Sequence, residues 1–273
     1  MNVKVLVENT SLSPAYRCEH GLSLYIETRN HKVLFDMGQG NLFLENAERM
    51  GVDIEAVDIA VLSHGHYDHG GGIEAFLKRN ARAILYADAD AFGPHYAKRE
   101  DGRIDDIGLD SAIALNPRIQ APRRVLRIDD GLYIFSGVVP HRLFPPANRA
   151  LLMKTSNYEP DDFTHEQNLI ITEDGGDVLF TGCAHNGIVN IIEAARRLQG
   201  RTPRAVVGGF HLCLKESAAD DDTAFAVQVA GALSAFDAVY YTGHCTGEGG
   251  CHLLKERLGD RVFRLSTGLE FKI

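Results

Sequence analysis

The chain has 273 residues, of which 45% are hydrophobic and 24% charged, with a formal net charge of −9 at pH 7. This composition is that of a globular protein with a sizeable core, and it excludes wholesale disorder. The acidic balance, with a pI near 5.7, disfavours non-specific attraction to nucleic acid or anionic membranes, so an anionic substrate must be gripped locally. The start, Met1-Asn2-Val3-Lys4-Val5-Leu6-Val7, reads as a short strand and not as a signal peptide. Apolar runs bounded by turn residues predict further strands at Leu22–Ile26, Val33–Phe35, Ile59–Leu62, Ala83–Tyr86, Val125–Ile128 and Leu132–Phe135. Later ones fall at Leu169–Thr172, Val178–Phe180, Ala205–Val207, Ala238–Tyr241, Val262–Leu265 and Leu269–Lys272. Helical spacing marks Leu42–Met50, Ile73–Arg79, Ile188–Leu198, Thr223–Phe236 and Gly250–Leu258.

Strands dominate early and then alternate with helices. That order predicts an α/β fold, a four-layer αββα sandwich of two mixed sheets. One domain over residues 1–273 is expected. Asp88–Arg118 and Gly137–His165 break the periodicity with Pro, Gly and charge, and both read as insertions or lids over a site. Arg118, Arg123, Arg124 and Arg142 in and near them are the candidates for gripping a phosphate. The five cysteines are odd in number and scattered, which points to reduced thiols. No apolar run reaches the roughly 20 residues of a membrane span, and a cytoplasmic location is expected, with no membrane partner.

The strongest chemical signal is Ser63-His64-Gly65-His66-Tyr67-Asp68-His69-Gly70, directly after the predicted strand Ile59–Leu62. Alternate side chains of an extended segment share a face, so His64 and His66 can hold one cation while Asp68 and His69 turn to another. Imidazoles and a carboxylate at this density are costly to bury without a compensating positive ion. The glycines Gly70-Gly71-Gly72 lack the Lys-Ser/Thr of a phosphate loop and are read as a place where backbone passes close to the site.

This loop resembles the His-x-His-x-Asp-His signature of the metallo-β-lactamase superfamily, and Leu34-Phe35-Asp36-Met37-Gly38 resembles that superfamily's strand ending in Asp and Gly. Glu19-His20-Gly21-Leu22-Ser23, Thr181-Gly182-Cys183-Ala184-His185, Gly208-Gly209-Phe210-His211-Leu212 and Gly243-His244-Cys245-Thr246-Gly247 resemble a subgroup of prokaryotic metal-dependent hydrolases. Some of that subgroup are dihydropterin-transferring synthases on the route to methanopterin. The resemblance implies two divalent metal ions, zinc foremost, with manganese, magnesium and iron also compatible. It implies His64, His66, Asp68, His69, His185 and His244 as ligands, and a departure from the pattern: Cys183 stands where a bridging aspartate is usual. Cys183 is carried as a ligand with a packed thiol as the competing reading. Asp36, His211 and His20 are expected to shape the pocket or support the ligands. His165 is a candidate for a middle ligand.

The implied chemistry is hydrolysis of a carboxylic or phosphoric ester of a small molecule by a metal-activated water, with Asp68 as the catalytic base. The alternative is transfer of a dihydropterin methyl group from its diphosphate to an arylamine ribose phosphate, releasing diphosphate. A redox or non-catalytic member of the fold is the third reading. Substrate identity and oligomeric state have no motif in this sequence.

Overall fold

The computed structural model describes residues 1–122, 124–215 and 220–273, and the side chains of all of these except 220–222. The chain divides into two compact units, one of Met1–Arg123, Asn148–Gln167 and Ser266–Ile273, the other of Arg124–Ala147 and Asn168–Leu265. Together with the alternation of strands and helices inside each unit, this is the α/β content expected from the sequence.

The first unit is built on a seven-stranded mixed sheet. Its order is Glu270–Lys272, Asn2–Val7, Ser23–Glu27, Lys32–Phe35, Ile59–Val61, Ile84–Tyr86 and Ile119–Gln120. The early strands pair antiparallel, and from Lys32–Phe35 onward the pairing is parallel. Parallel neighbours need a crossover, and the helices Leu42–Arg49 and Ile73–Arg79 supply two of them. Phe43 and Ala47 of one and Ile73 and Phe76 of the other are buried against Leu34, Ala60, Leu62 and Leu85 of the sheet. Ile59-Ala60-Val61 is buried at every position, as a parallel strand covered on both faces must be.

The second unit repeats the plan. Its sheet runs Val262–Arg264, Val239–Thr242, Ala205–Gly208, Gly176–Phe180, Gln167–Glu173, Leu132–Ser136 and Val125–Arg127. Hairpins pair antiparallel at one side, and the last four strands in chain order pair parallel. Helices Ile188–Gln199, Asp220–Ser234 and Glu248–Leu258 make the crossovers. Ile188, Ile191, Ile192, Val229, Leu233 and Leu254 pack with Leu179, Val206 and Tyr240 in one core.

The expected elements are all present, with ends shifted by at most three residues, the largest shift being at the start of the helix Asp220–Ser234. Two stretches differ from expectation. Asp88–Arg118 and Gly137–His165 contain strands that the sequence pattern did not predict, His95–Lys98, Ile104–Asp106, Leu151–Lys154 and Tyr158–Pro160. They pair antiparallel into a third sheet within the first unit, with Leu151 opposite Ala97 and Met153 opposite His95. Each is short and at least partly exposed, and the two hairpins they form are joined only by the distant pairing of Leu151–Lys154 with His95–Lys98, so local periodicity gives no signal. Among the described residues no helix is long and apolar enough to cross a membrane.

Candidate metal centre

In both units the chemically competent side chains follow the carboxyl ends of parallel strands, where an open α/β sheet leaves a crevice beyond its strands. In the first unit Lys32–Phe35 delivers Asp36, and Ile59–Val61 delivers Ser63 to His69. The backbone stays extended through His66, at φ −96° and ψ 144°, and then turns into the short helix Tyr67–Gly70. The extended part puts His64 and His66 side by side, with His64 Nε2 and His66 Nδ1 3.0 Å apart. The helical turn brings Asp68 beside His69, with Oδ2 3.7 Å from Nε2. The rings of His64 and His69 are 4.2 Å apart between centroids. All four side chains are buried.

The other ring nitrogens of two of these histidines are spoken for. Asp36 Oδ2 accepts from His69 Nδ1 at 2.7 Å and from Ser63 Oγ at 2.8 Å, while Asp36 Oδ1 accepts from Ser63 N at 2.7 Å. Ser63 Oγ meets His64 Nδ1 at 2.8 Å. Asp36 has φ +60°, a left-handed conformation that a short polar side chain tolerates better than most. The outcome is that Nε2 of His64 and Nε2 of His69 face inward, the tautomers a cation requires. Burial, followed by the neighbouring charge of His165, keeps the His66 imidazole well below its usual pKa and so neutral. His20 Nε2 lies 3.2 Å from Asp68 Oδ2, and Leu22 N donates to Asp68 O at 3.2 Å. A Cβ on Gly21 or on Gly65 would collide with backbone, at Asp68 O and Ala91 O respectively.

Behind this loop stands a network that sequence reading largely missed. Gly65 N donates to His165 Nδ1 at 3.0 Å, and Asp161 Oδ2 takes His95 Nδ1 at 2.9 Å and His165 Nε2 at 3.4 Å. Gln167 fixes the loop's start, its amide donating to Leu62 O at 2.7 Å and its backbone N–H to Ser63 O at 2.8 Å. One ligand-type atom each from His66, Asp161 and His165 lies within 4.8 Å of the other two. Burial pushes against charge on His95, but the hydrogen bond and charge of Asp161 outweigh it and raise the imidazole; Asp161 itself is held far below the usual carboxylate range by His165 and His95, against its burial. His95 carried no partner in sequence and Asp161 no motif, so no local signal could have found the pair.

In the second unit, the loops after Gly176–Phe180, Ala205–Gly208 and Val239–Thr242 carry Cys183 with His185, His211 with Cys213, and His244 with Cys245. Cys183, His185, His211 and His244 are buried, and the rings of His185 and His211 are 4.3 Å apart. Cys183, His211 and Cys245 each offer a ligand atom within 4.8 Å of the others. Burial works against an ionised Cys245, yet hydrogen bonds with Cys183 and His211 and the charges of His244 and His211 hold its thiol well below the usual range.

Two of the arginines read as phosphate grips are otherwise engaged. Arg118 donates both terminal nitrogens to carbonyls, Asn80 O and Leu77 O at 2.6 Å each, at the end of helix Ile73–Arg79, and Arg142 pairs with Glu193. Arg123 lies outside the described residues.

The donor chemistry suits a divalent cation. Nitrogen and oxygen donors converge at 3.0 to 3.7 Å in a buried site, and donor atoms sharing a cation with bonds of about 2.0–2.2 Å stand at about that separation. The family model of the metallo-beta-lactamase superfamily matches residues 16–221. An uncharacterized protein of Methanocaldococcus jannaschii is 32% identical over 215 residues, covering 77% of this chain and 79% of the relative. From the same organism, 7,8-dihydropterin-6-methyl-4-(beta-D-ribofuranosyl)-aminobenzene-5'-phosphate synthase is 24% identical over 265 residues, covering 92% of this chain and 88% of that one. The solved structure of Tm1679, a metal-dependent hydrolase of the beta-lactamase superfamily, superposes with a TM-score of 0.81 at 25% identity over 100% of this chain and 99% of its own. By the breadth of the family match and a fold shared along its whole length, this chain belongs to the metallo-β-lactamase superfamily.

Proposed function

We propose that the protein is a dinuclear metal-dependent hydrolase of small esters or phosphoesters, with zinc as its metal. The observation that carries this reading is the buried loop His64-Gly65-His66-Tyr67-Asp68-His69, whose inward-facing donors are oriented by Asp36 and Ser63. His64 and His66 belong to one ion and Asp68 and His69 to the other. The superfamily resemblance also implies Cys183, His185 and His244 as ligands. When bound, such ions lower the pKa of a shared water toward neutrality and offset charge on the attacked and leaving oxygens. Asp68 takes the nucleophile's proton and His20, 3.2 Å away, steadies its carboxylate. His211 and Asp36 support the ligands.

Elemental analysis and an ester screen test the reading. Close to two metals per chain are expected at this centre, with His64→Ala emptying one position and Asp68→Ala loosening the other. Full occupancy and full turnover in the double variant would overturn it.

A second reading draws on the synthase relative, aligned along 92% of this chain. Here the site holds the departing diphosphate of a dihydropterin methyl diphosphate while an arylamine ribose phosphate attacks. Release of diphosphate from such a pair by a metal-replete protein inert to esters would select this reading over hydrolysis.

A further inference from the structure

The loops Gly208-Gly209-Phe210-His211-Leu212-Cys213-Leu214 and Gly243-His244-Cys245-Thr246-Gly247 of the second unit are fastened along their length. Phe210 N donates to Thr246 Oγ1 at 3.0 Å, Cys213 N to Cys245 O at 2.9 Å, Leu214 N to Thr246 O at 3.4 Å and Gly249 N to Leu214 O at 3.1 Å. Three non-glycine residues of this clamp, His211, Cys213 and His244, sit at φ between 47° and 50°, and left-handed backbone of this kind persists only where surrounding contacts impose it. The clamp brings His211 N onto Cys245 Sγ at 3.3 Å and Cys245 Sγ onto Cys183 O at 3.5 Å. Gly209 makes the room, because a Cβ there would strike Cys245 Sγ.

His211 is the telling residue. Its Nδ1 meets Cys213 Sγ at 3.9 Å, whereas its Nε2 is buried without a well-formed hydrogen bond among the described residues, the Cys245 thiol being a neighbour of the ring. A buried imidazole nitrogen left without a partner is destabilising unless something binds it. A ring nitrogen of His211 and the sulfurs of Cys183 and Cys245 lie within 4.8 Å of one another. Donors around a tetrahedral zinc, with bonds of about 2.0–2.3 Å, are about 3.5–3.8 Å apart, so side-chain rotation of about an ångström closes the set. We propose that Cys183, His211 and Cys245 form a thiolate-rich site in the second unit for a thiophilic divalent ion such as zinc. Two thiolates and one imidazole select a soft or borderline cation over magnesium or manganese, and with Cys213 Sγ accepting from Nδ1–H the Nε2 lone pair is left for the metal. Each thiol gives up its proton to solvent on binding. The site needs no donor from the first unit, and it touches the hydrolase reading only at Cys183, which both claim.

Cobalt(II) added to metal-stripped, reduced full-length protein tests this, read by the thiolate-to-cobalt charge-transfer band in the near ultraviolet. The parent protein is expected to show a two-thiolate band. Cys245→Ser should halve its intensity, and His211→Ala should weaken cobalt binding by at least about tenfold, while Gly209→Ala, which removes no donor, should weaken it by displacing the sulfur. In the His64→Ala, Asp68→Ala background the band should persist at full intensity although turnover is gone. A band that is unchanged in Cys245→Ser but vanishes in the His64→Ala, Asp68→Ala variant would assign Cys183 to the dinuclear set alone and overturn the proposal, as would no band in the parent. A persistent band in a protein without any hydrolase activity would count against the hydrolase reading and leave this site standing.

Discussion

Replacing Asp36 by Asn keeps a short side chain at φ +60° and one acceptor for Ser63, but removes the charge that holds His69 Nδ1–H and so the ring's orientation. Metal affinity should fall about 10–100-fold, as for other residues that orient a ligand from behind, with little change in circular dichroism. An Asp36→Asn protein with parental affinity, measured by competition with a metal chelator, would show that His69 needs no such partner. Asp161 permits a pH argument. Its carboxylate, shared by His95 and His165, has its pKa held far below the ordinary value. A depressed folded-state pKa contributes stability in full above the unfolded value of about 4 and loses it progressively as pH falls below that. Asp161→Asn should therefore flatten the acid limb of the stability curve below about pH 4. Asp161→Ala should cost about 1–3 kcal/mol for each buried imidazole left without an acceptor, read from urea midpoints at pH 7. Asp36 was legible in the sequence because it sits in the local run Leu34-Phe35-Asp36-Met37-Gly38 at the end of one predicted strand. The Asp161–His95 bond joins residues 66 apart, and nothing in the neighbourhood of either one announces the other.

At the scale of elements, the strands that carry the ligands were readable because they are short apolar runs ended by turn residues. Ile59-Ala60-Val61 is the clearest, buried throughout and followed at once by the ligand loop. The helices were readable by spacing, as in Ile188–Gln199, whose buried residues line one core. His95-Tyr96-Ala97-Lys98 and Tyr158-Glu159-Pro160 lack both signals, and they became strands because a partner elsewhere supplied the hydrogen bonds. Leu152 lies at the centre of that arrangement, opposite Tyr96 on one side and Pro160 on the other. Leu152→Pro should therefore speed amide exchange across residues 95–106 and 151–160 together, because a proline removes a ladder donor. Exchange in the large sheets should stay as in the parent; loosening confined to 151–160 would show that the two segments do not depend on each other.

For the molecule as a whole, metal binding and folding are linked, since ligands that converge in the native state are scattered in the unfolded one. With free zinc at about a hundred times its dissociation constant, the native state gains about 2.7 kcal/mol, which for a chain of this size raises the thermal midpoint by about 5–10 °C. A midpoint that does not move between zinc and a chelator would sink the metal assignment. The α/β class and the ligand loop were open to sequence reading, because both are local patterns repeated in order. The clamp that gathers Cys183, His211 and Cys245 was not, since it exists only once three strand ends are aligned. The third sheet bears on how relatives of this chain can be recombined. Its strands come from two stretches that flank the second unit's first segment, Arg124–Ala147, so neither stretch can be grafted alone. A chimera that takes 88–118 from one parent and 137–165 from another inherits two unmatched edges, each an open template for association with other chains. Exchange of substrate preference between relatives by such grafting therefore requires both stretches to travel as one cassette.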